Sequence, residues 1–200
     1  MKTPSRQQAE AYLAEGERNN PGPWVAHSRY VAKAAEAISR PHPTLDPQTA
    51  YVLGLLHDIG RGHGVSDFRH LLDGYRLLMA DGFDHAARIC LTHSFPLPDL
   101  NTYAGSIDCP PEEVQVVRAF LADHPLDDYD RLIQLCDGLC LSSGFCLMEK
   151  RLVNVVMRYG YTETTLDTWR ERFCIKAHIE QAIGGSVYAL LDGVVANTFG

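Results

Sequence analysis

No stretch of this chain approaches the roughly 18 consecutive apolar residues that a membrane-spanning helix needs. The opening residues, Met1-Lys2-Thr3-Pro4-Ser5-Arg6-Gln7-Gln8, also lack the apolar core of a secretion signal, so the expected compartment is the cytoplasm, with no membrane partner. A basic stripe is missing too. Lys and Arg number 18 against 25 Asp and Glu, a formal net charge of −7, and a surface of that sign repels phosphate backbones, which excludes a long nucleic acid as partner. No run alternates apolar and polar residues at period two, so a sheet-based core is not expected, and no internal repeat is visible. The six cysteines form no C-x-x-C pair and are too sparse for a disulfide scaffold. They read as reduced, mostly buried small apolar residues.

What is present is an ordinary globular composition, 46% hydrophobic and 22% charged over 200 residues, enough for one core and short for two. A single domain over residues 1–200 is expected. Apolar residues recur at helical spacing in segments punctuated by proline and glycine. Thr3 and Pro4 open a short leading helix to about Arg18, Asn19-Asn20-Pro21-Gly22-Pro23 breaks it, and the next helix runs from Trp24 to about Arg40. Asp46-Pro47 reads as an N-cap with a first-turn proline, starting a helix through Leu53 and Leu56 to Gly60. Further helices are expected over about 68–80, 83–95, 111–122, 127–142, 145–159, 165–183 and 185–196. Arg61–Asp67 and the proline-rich Pro96–Pro111 are the main loops, the second a candidate lid over substrate. The expected architecture is all-α, a single-domain helical bundle.

The first chemical signal is Leu53-Gly54-Leu55-Leu56-His57-Asp58-Ile59-Gly60-Arg61. A carboxylate among leucines loses several kcal/mol of hydration unless it is paired or bound to a cation. Imidazole with carboxylate is an ordinary ligand pair for zinc, iron or manganese, whereas a solvated Asp58 ahead of a capping Gly60 is the plain alternative. In Leu132-Ile133-Gln134-Leu135-Cys136-Asp137-Gly138-Leu139-Cys140-Leu141 the one charge is Asp137, on the face of Ile133, Cys140 and Leu141. It is either a ligand or an acid paired with Arg131 or Arg151. His27 shares a helix face with Val31, Ala34, Ala35 and Ile38 and so points toward the core. His70 and His93 fall at helix ends, where side chains of separate helices can meet.

This order of one His, a His-Asp doublet and a distant Asp resembles the HD-domain superfamily of metal-dependent phosphohydrolases, over about residues 24–141. The string His57-Asp58-Ile59-Gly60 is similar to the His-Asp-Ile-Gly form that family often carries. The resemblance implies an all-helical, HD-type core at about 24–141 with C-terminal helices 145–196 packed on it, and His27, His57, Asp58 and Asp137 binding one divalent metal. Members with two metals have two further histidines, which His70-Leu71-Leu72-Asp73-Gly74 and Thr92-His93-Ser94 resemble. On that resemblance Asp58 bridges two ions, and His70 and His93 complete the second site. Similar members hold iron or manganese; zinc, magnesium, cobalt and nickel are the other divalent candidates.

Two such cations would lower the pKa of a bridging water and stabilise charge on phosphoryl oxygens, which makes Asp58 catalytic as well as a ligand. Arg61, just past the doublet, is placed as a catalytic and substrate-binding residue whose fork suits a phosphate oxygen; the family more often carries Lys there. His63, in a glycine-flanked loop, is a second expected substrate contact. His85 reads as a surface residue, His42, His124 and His178 as solvated, and Glu149 and Arg151 as the solvated face of an amphipathic helix.

The expected function is hydrolysis of a small phosphorylated substrate, a nucleotide or dinucleotide ester rather than a polymer. Two other functions suit the same residues: a di-iron oxygenase of the HD type, and a non-catalytic nucleotide-binding regulatory module. The apolar positions Ile183, Val187, Leu190, Leu191 and Val194 either pack on the core or form a homodimer surface.

Overall fold

In the computed structural model, which describes residues 1–200, Asp46 starts the helix on which the others assemble. Its carboxylate accepts the Thr49 amide at 2.7 Å, and Pro47 follows with its φ already set for a first turn, so α3 (Pro47–Leu56) begins where the sequence favours it. Every residue from Ala50 to Leu56 is buried. A helix apolar on all sides belongs in the middle of a fold, and α3 touches α1 (Arg6–Asn19), α2 (Pro23–Ser39), α5 (Asp84–Thr92) and α7 (Asp128–Asp137). Gly54 permits the closest of these approaches, since a β-carbon there would stand 2.9 Å from the Cα of Ala32 on α2.

The remaining helices are α4 (Arg69–Ala80), α6 (Pro111–Asp123), α8 (Met148–Tyr159), α9 (Thr165–Ile183) and α10 (Val194–Phe199). Short 3-10 turns lie at Ile59–His63, Leu100–Thr102 and Val187–Leu190. The fold is all-α, as expected, apart from a hairpin of β1 (Cys140–Leu141) and β2 (Gly144–Phe145), antiparallel with Cys140 opposite Phe145. No helix is long and apolar enough to cross a membrane.

The main core gathers 35 buried residues. It takes most of them from α1, α2, α3, α5 and α7, and also Met148 and Leu152 of α8, Ile175 and Ile179 of α9, and Val194 of α10. The C-terminal helices therefore close over the same apolar interior as the N-terminal ones. A smaller cluster of 8, including Phe68, Leu71, Leu91, Phe95, Leu100 and Val117, ties α4, α5 and α6 to the 96–111 segment.

Four of the boundaries that differ from expectation do so for a plain local reason. The first helix begins two residues later, because Ser5 and Gln8 form a reciprocal capping box that Thr3 does not. Helix α3 stops at Leu56 instead of reaching Gly60, and α7 stops at Asp137 instead of 142, where Arg172 takes the Gln134 carbonyl and the chain enters the hairpin. The segment expected as one helix over 185–196 splits, because Gly193 adopts φ +74°, a left-handed conformation that no helix continues through. The 96–111 loop does face a cavity, through Thr102, Tyr103, Ala104 and Gly105. It is also latched: Asp108 accepts the amides of Asp67 and Arg69 at 2.8 and 2.7 Å.

Candidate metal centre

His57 and Asp58 leave the end of α3 one after the other. Asp58, at φ −107° and ψ 15°, turns the chain into the 3-10 turn that follows. That turn presses Gly60 against α4, where a β-carbon would lie 1.9 Å from the His70 carbonyl oxygen. Only a hydrogen fits, so the glycine of the His-Asp-Ile-Gly string is what lets Asp58 and His70 meet. Gly54 does the same for α2 and α3, and the rings of His27 and His57 consequently pack edge to face, 5.3 Å between centroids. His93 caps α5, and Asp137 is the last residue of α7.

Three of the histidines are oriented by their own backbone. His57 Nδ1 donates to Gly54 O at 2.7 Å and His93 Nδ1 to Ile89 O at 3.1 Å, while His70 Nδ1 donates to Asp67 O. A carbonyl only accepts, so each Nδ1 carries a proton, and Nε2 is the ring nitrogen left to face the site. Those Nε2 atoms converge on Asp58. His70 Nε2 and His93 Nε2 stand 3.1 and 3.5 Å from its Oδ1, and His57 Nε2 stands 3.8 Å from its Oδ2. Lone pairs facing a carboxylate repel it unless a cation lies between them.

Ligand atoms fall into two sets, each within 4.8 Å of one another: His27, His57 and Asp58, and Asp58, His70 and His93. Asp58 belongs to both. Asp137 adjoins the first set, its Oδ1 3.0 Å from His27 Nε2. Asp58 Oδ1 and His57 Nε2 are buried without any hydrogen-bond partner, a costly arrangement for two polar atoms. Neutral imidazoles and a carboxylate make up a normal donor set for a divalent transition metal, so the residues present fit such an ion.

Charge and burial set the state of these candidate ligands. Burial alone would raise the Asp58 carboxyl, but Arg61, then His57 and His70, hold it well below the usual carboxylate range. Burial likewise works against Asp137, and Arg151, His27 and Arg172 overcome it. His93 is pushed down to about 3, chiefly by burial and then by His57, so it is neutral near pH 7. His27 is lowered as well, mainly by burial.

The centre opens into a cavity of about 760 Å³ lined by His27, Asp58, Arg61, His70, His93 and Asp137, among others. Arg61 lines it with its Nε on Asp58 Oδ2 at 2.8 Å, one terminal nitrogen on Ser66 O at 3.2 Å and the other 3.4 Å from His70 Nε2. His63 does not join the site. It is solvent-exposed at the end of the 3-10 turn and lines no part of the cavity, because the turn points it outward. His85 is buried, not on the surface, its ring packed edge to face on Tyr129 at 5.0 Å and away from the cavity.

Arg151 is likewise not a solvated residue. Its side chain is 16% exposed and donates to Asp137 Oδ1 at 3.1 Å, so of the two arginines considered as partners for Asp137 it is the one in contact. Arg131 instead reaches Pro96 O and Glu171. A hint lay in the spacing, since Arg151 follows Met148 and precedes Leu152, both buried. Arg172 and Trp169 also line the cavity, from a helix with no strong apolar face to announce them. Burial lowers Arg172 from the usual arginine range, Asp137 opposes that, and Arg151 adds to it.

Among known families, the HD domain matches residues 24–141. No curated protein and no solved structure matches the chain. The matched segment covers more than half of the sequence and contains all six histidines and aspartates of the two ligand sets and their neighbour Asp137. With that match and that geometry together, the chain belongs to the HD-domain family, whose members are mostly metal-dependent hydrolases.

Proposed function

We propose that this protein is a metal-dependent phosphohydrolase acting on a small phosphate ester of nucleotide or dinucleotide size, with two divalent ions, iron or manganese, sharing Asp58. The observation that carries the reading is the position of Asp58, a partnerless buried oxygen between two ligand sets at one cavity floor. His27, His57 and Asp137 would serve one ion and His70 and His93 the other. Bound there, divalent cations supply Lewis acidity that activates water and offsets phosphoryl charge near neutral pH.

The chain's own residues do the positioning. Arg61 keeps its Nε on Asp58 and lines the cavity, where its guanidinium supplies positive charge suited to phosphate oxygens. The carbonyls of Gly54, Asp67 and Ile89 engage Nδ1 of three imidazoles and leave Nε2 as the atom each would offer a metal. A cavity of about 760 Å³ lies in the range of small-molecule sites, and the net charge of −7 disfavours a polymer of phosphates.

The test is elemental analysis of protein purified without chelator, followed by a panel of phosphomonoesters and phosphodiesters and, in parallel, oxygen uptake. Phosphate release dependent on bound metal is the expected result. Oxygen consumption without phosphate release would replace the reading with an oxygenase, and nucleotide binding without turnover would replace it with a regulatory module.

A further inference from the structure

Arg151 on α8 and Arg172 on α9 reach the cavity beside Asp137, and both lie outside the family-matched segment. Their side chains are 16% and 13% exposed. Arg151 commits its Nε to the Asp137 carbonyl and one terminal nitrogen to Asp137 Oδ1. Arg172 commits one terminal nitrogen to Gln134 O, and its other stands 3.9 Å from Asp137 Oδ2, beyond hydrogen-bond length. Each guanidinium has about five N–H donors, so most of them have no protein acceptor. Each nitrogen without such a bond keeps access to solvent, and both residues line the cavity.

Charge adds to the case. Two mostly buried cations share a single carboxylate. Like charges in a partly desolvated cleft need a counter-anion. The six charged residues lining the cavity are Arg61, Arg151, Arg158, Arg172, Asp58 and Asp137, four cations to two anions, in a chain that is net negative. The cavity is thus an electropositive pocket in an acidic protein. Arg61 sits at one end of a line of contacts that runs through Asp58, His57, His27 and Asp137 to Arg151 at the other.

We propose that Arg151 and Arg172 form a second anion subsite, and that the substrate is a phosphate ester bearing a further anionic group, phosphate or carboxylate, which this pair receives. The ester identity rests on the phosphohydrolase reading above; the subsite does not. The C-terminal helices then select for doubly anionic molecules, while the HD core supplies the ligands.

The only two tryptophans, Trp24 and Trp169, both line the cavity, so their fluorescence reports its occupancy. The metal-reconstituted full-length protein would be titrated with phenylphosphonate, 4-carboxyphenylphosphonate and 1,4-phenylenediphosphonate, none of which can be hydrolysed. At least one doubly anionic probe should bind about tenfold tighter than phenylphosphonate, the worth of a charge-assisted hydrogen-bonded contact. Whether the carboxylate or the second phosphonate is preferred identifies the group received. In Arg172→Gln that advantage should shrink to about threefold or less, with Arg172→Lys, which keeps the charge and loses the fork, in between. Equal affinity for all three probes in the wild type overturns the subsite whatever the variants do, as does an advantage that survives Arg172→Gln unchanged in a folded protein. A full advantage without phosphate release from any ester would sink the hydrolase reading and leave the subsite standing.

Discussion

His70 Nε2 stands 3.1 Å from Asp58 Oδ1 while its Nδ1 proton is held by the Asp67 carbonyl. With Nε2 unprotonated, that contact sets a lone pair against a carboxylate, and a metal cation held by both would make it favourable. Asp58→Ala should therefore abolish binding at both proposed positions, and His70→Ala should lose about half of the bound metal. Metal-to-protein stoichiometry by elemental analysis reads both. Full metal content in Asp58→Ala would contradict the bridging role, and unchanged stoichiometry in His70→Ala would point to a single ion.

Gly60→Ala places a β-carbon 1.9 Å from the His70 carbonyl oxygen and 2.5 Å from the Gly74 amide nitrogen, both backbone atoms that cannot swing aside. The turn and α4 must separate, at a cost of about 1–3 kcal/mol or more. Metal affinity should fall with stability, because Asp58 and His70 move apart with their elements. Gly185→Ala, where an added β-carbon meets nothing within 4 Å, serves as the control and should shift the urea midpoint little. A Gly60→Ala protein as stable as that control would show that the close approach is not required.

Asp130 is fully buried and accepts Arg88 Nε at 3.0 Å and the Thr92 hydroxyl at 2.7 Å. This pair is remote from the cavity, so its role is in the fold. Asp130→Ala leaves the part-buried Arg88 guanidinium with only the Pro125 carbonyl and the more distant Asp127 and should cost about 3 kcal/mol, while the double variant Arg88→Met with Asp130→Leu should lose less than the two single changes summed. Chemical denaturation measures all three; strict additivity would argue against coupling.

His85 links stability to acidity. Burial holds its pKa below the ordinary 6.5, against the opposing pull of Asp127 and Asp130 and with help from the N-terminal amine and Arg88. The unfolded chain then binds a proton that the folded one refuses, so stability rises with pH in this range. The contribution is complete above the ordinary value of 6.5 and drains away as pH falls toward the lowered folded value. His85→Phe, which keeps a ring against Tyr129, should lose less Tm than the wild type between about pH 7 and pH 5. Parallel Tm curves would remove His85 from the account.

Arg61→Gln should raise KM for the phosphate ester by about tenfold or more, because a charged donor to a phosphate oxygen is lost. Arg61→Lys should recover part of that loss by charge alone. Steady-state kinetics with metal content measured alongside would separate this from damage to Asp58, whose carboxylate Arg61 also holds.

The sequence alone determined most of the elements and the candidate ligands that they carry. Asp46-Pro47 marked the start of α3, proline and glycine marked most breaks, and the periodic face of α2 turned His27 inward, because caps, fixed φ angles and 3.6-residue spacing are local physics. Isolated acids in apolar runs marked Asp58 and Asp137 for the same reason: an unpaired buried charge is costly wherever it lies. Contacts between distant segments were decided only by the tertiary structure. Nothing near Arg172 says that it meets Asp137, nothing near His85 says that Tyr129 covers it, and nothing near His63 says that its turn faces outward. Those outcomes depend on how closely whole helices pass one another, which is set by side-chain volumes on both partners, as at Gly60 against His70, and not by any pattern within one segment.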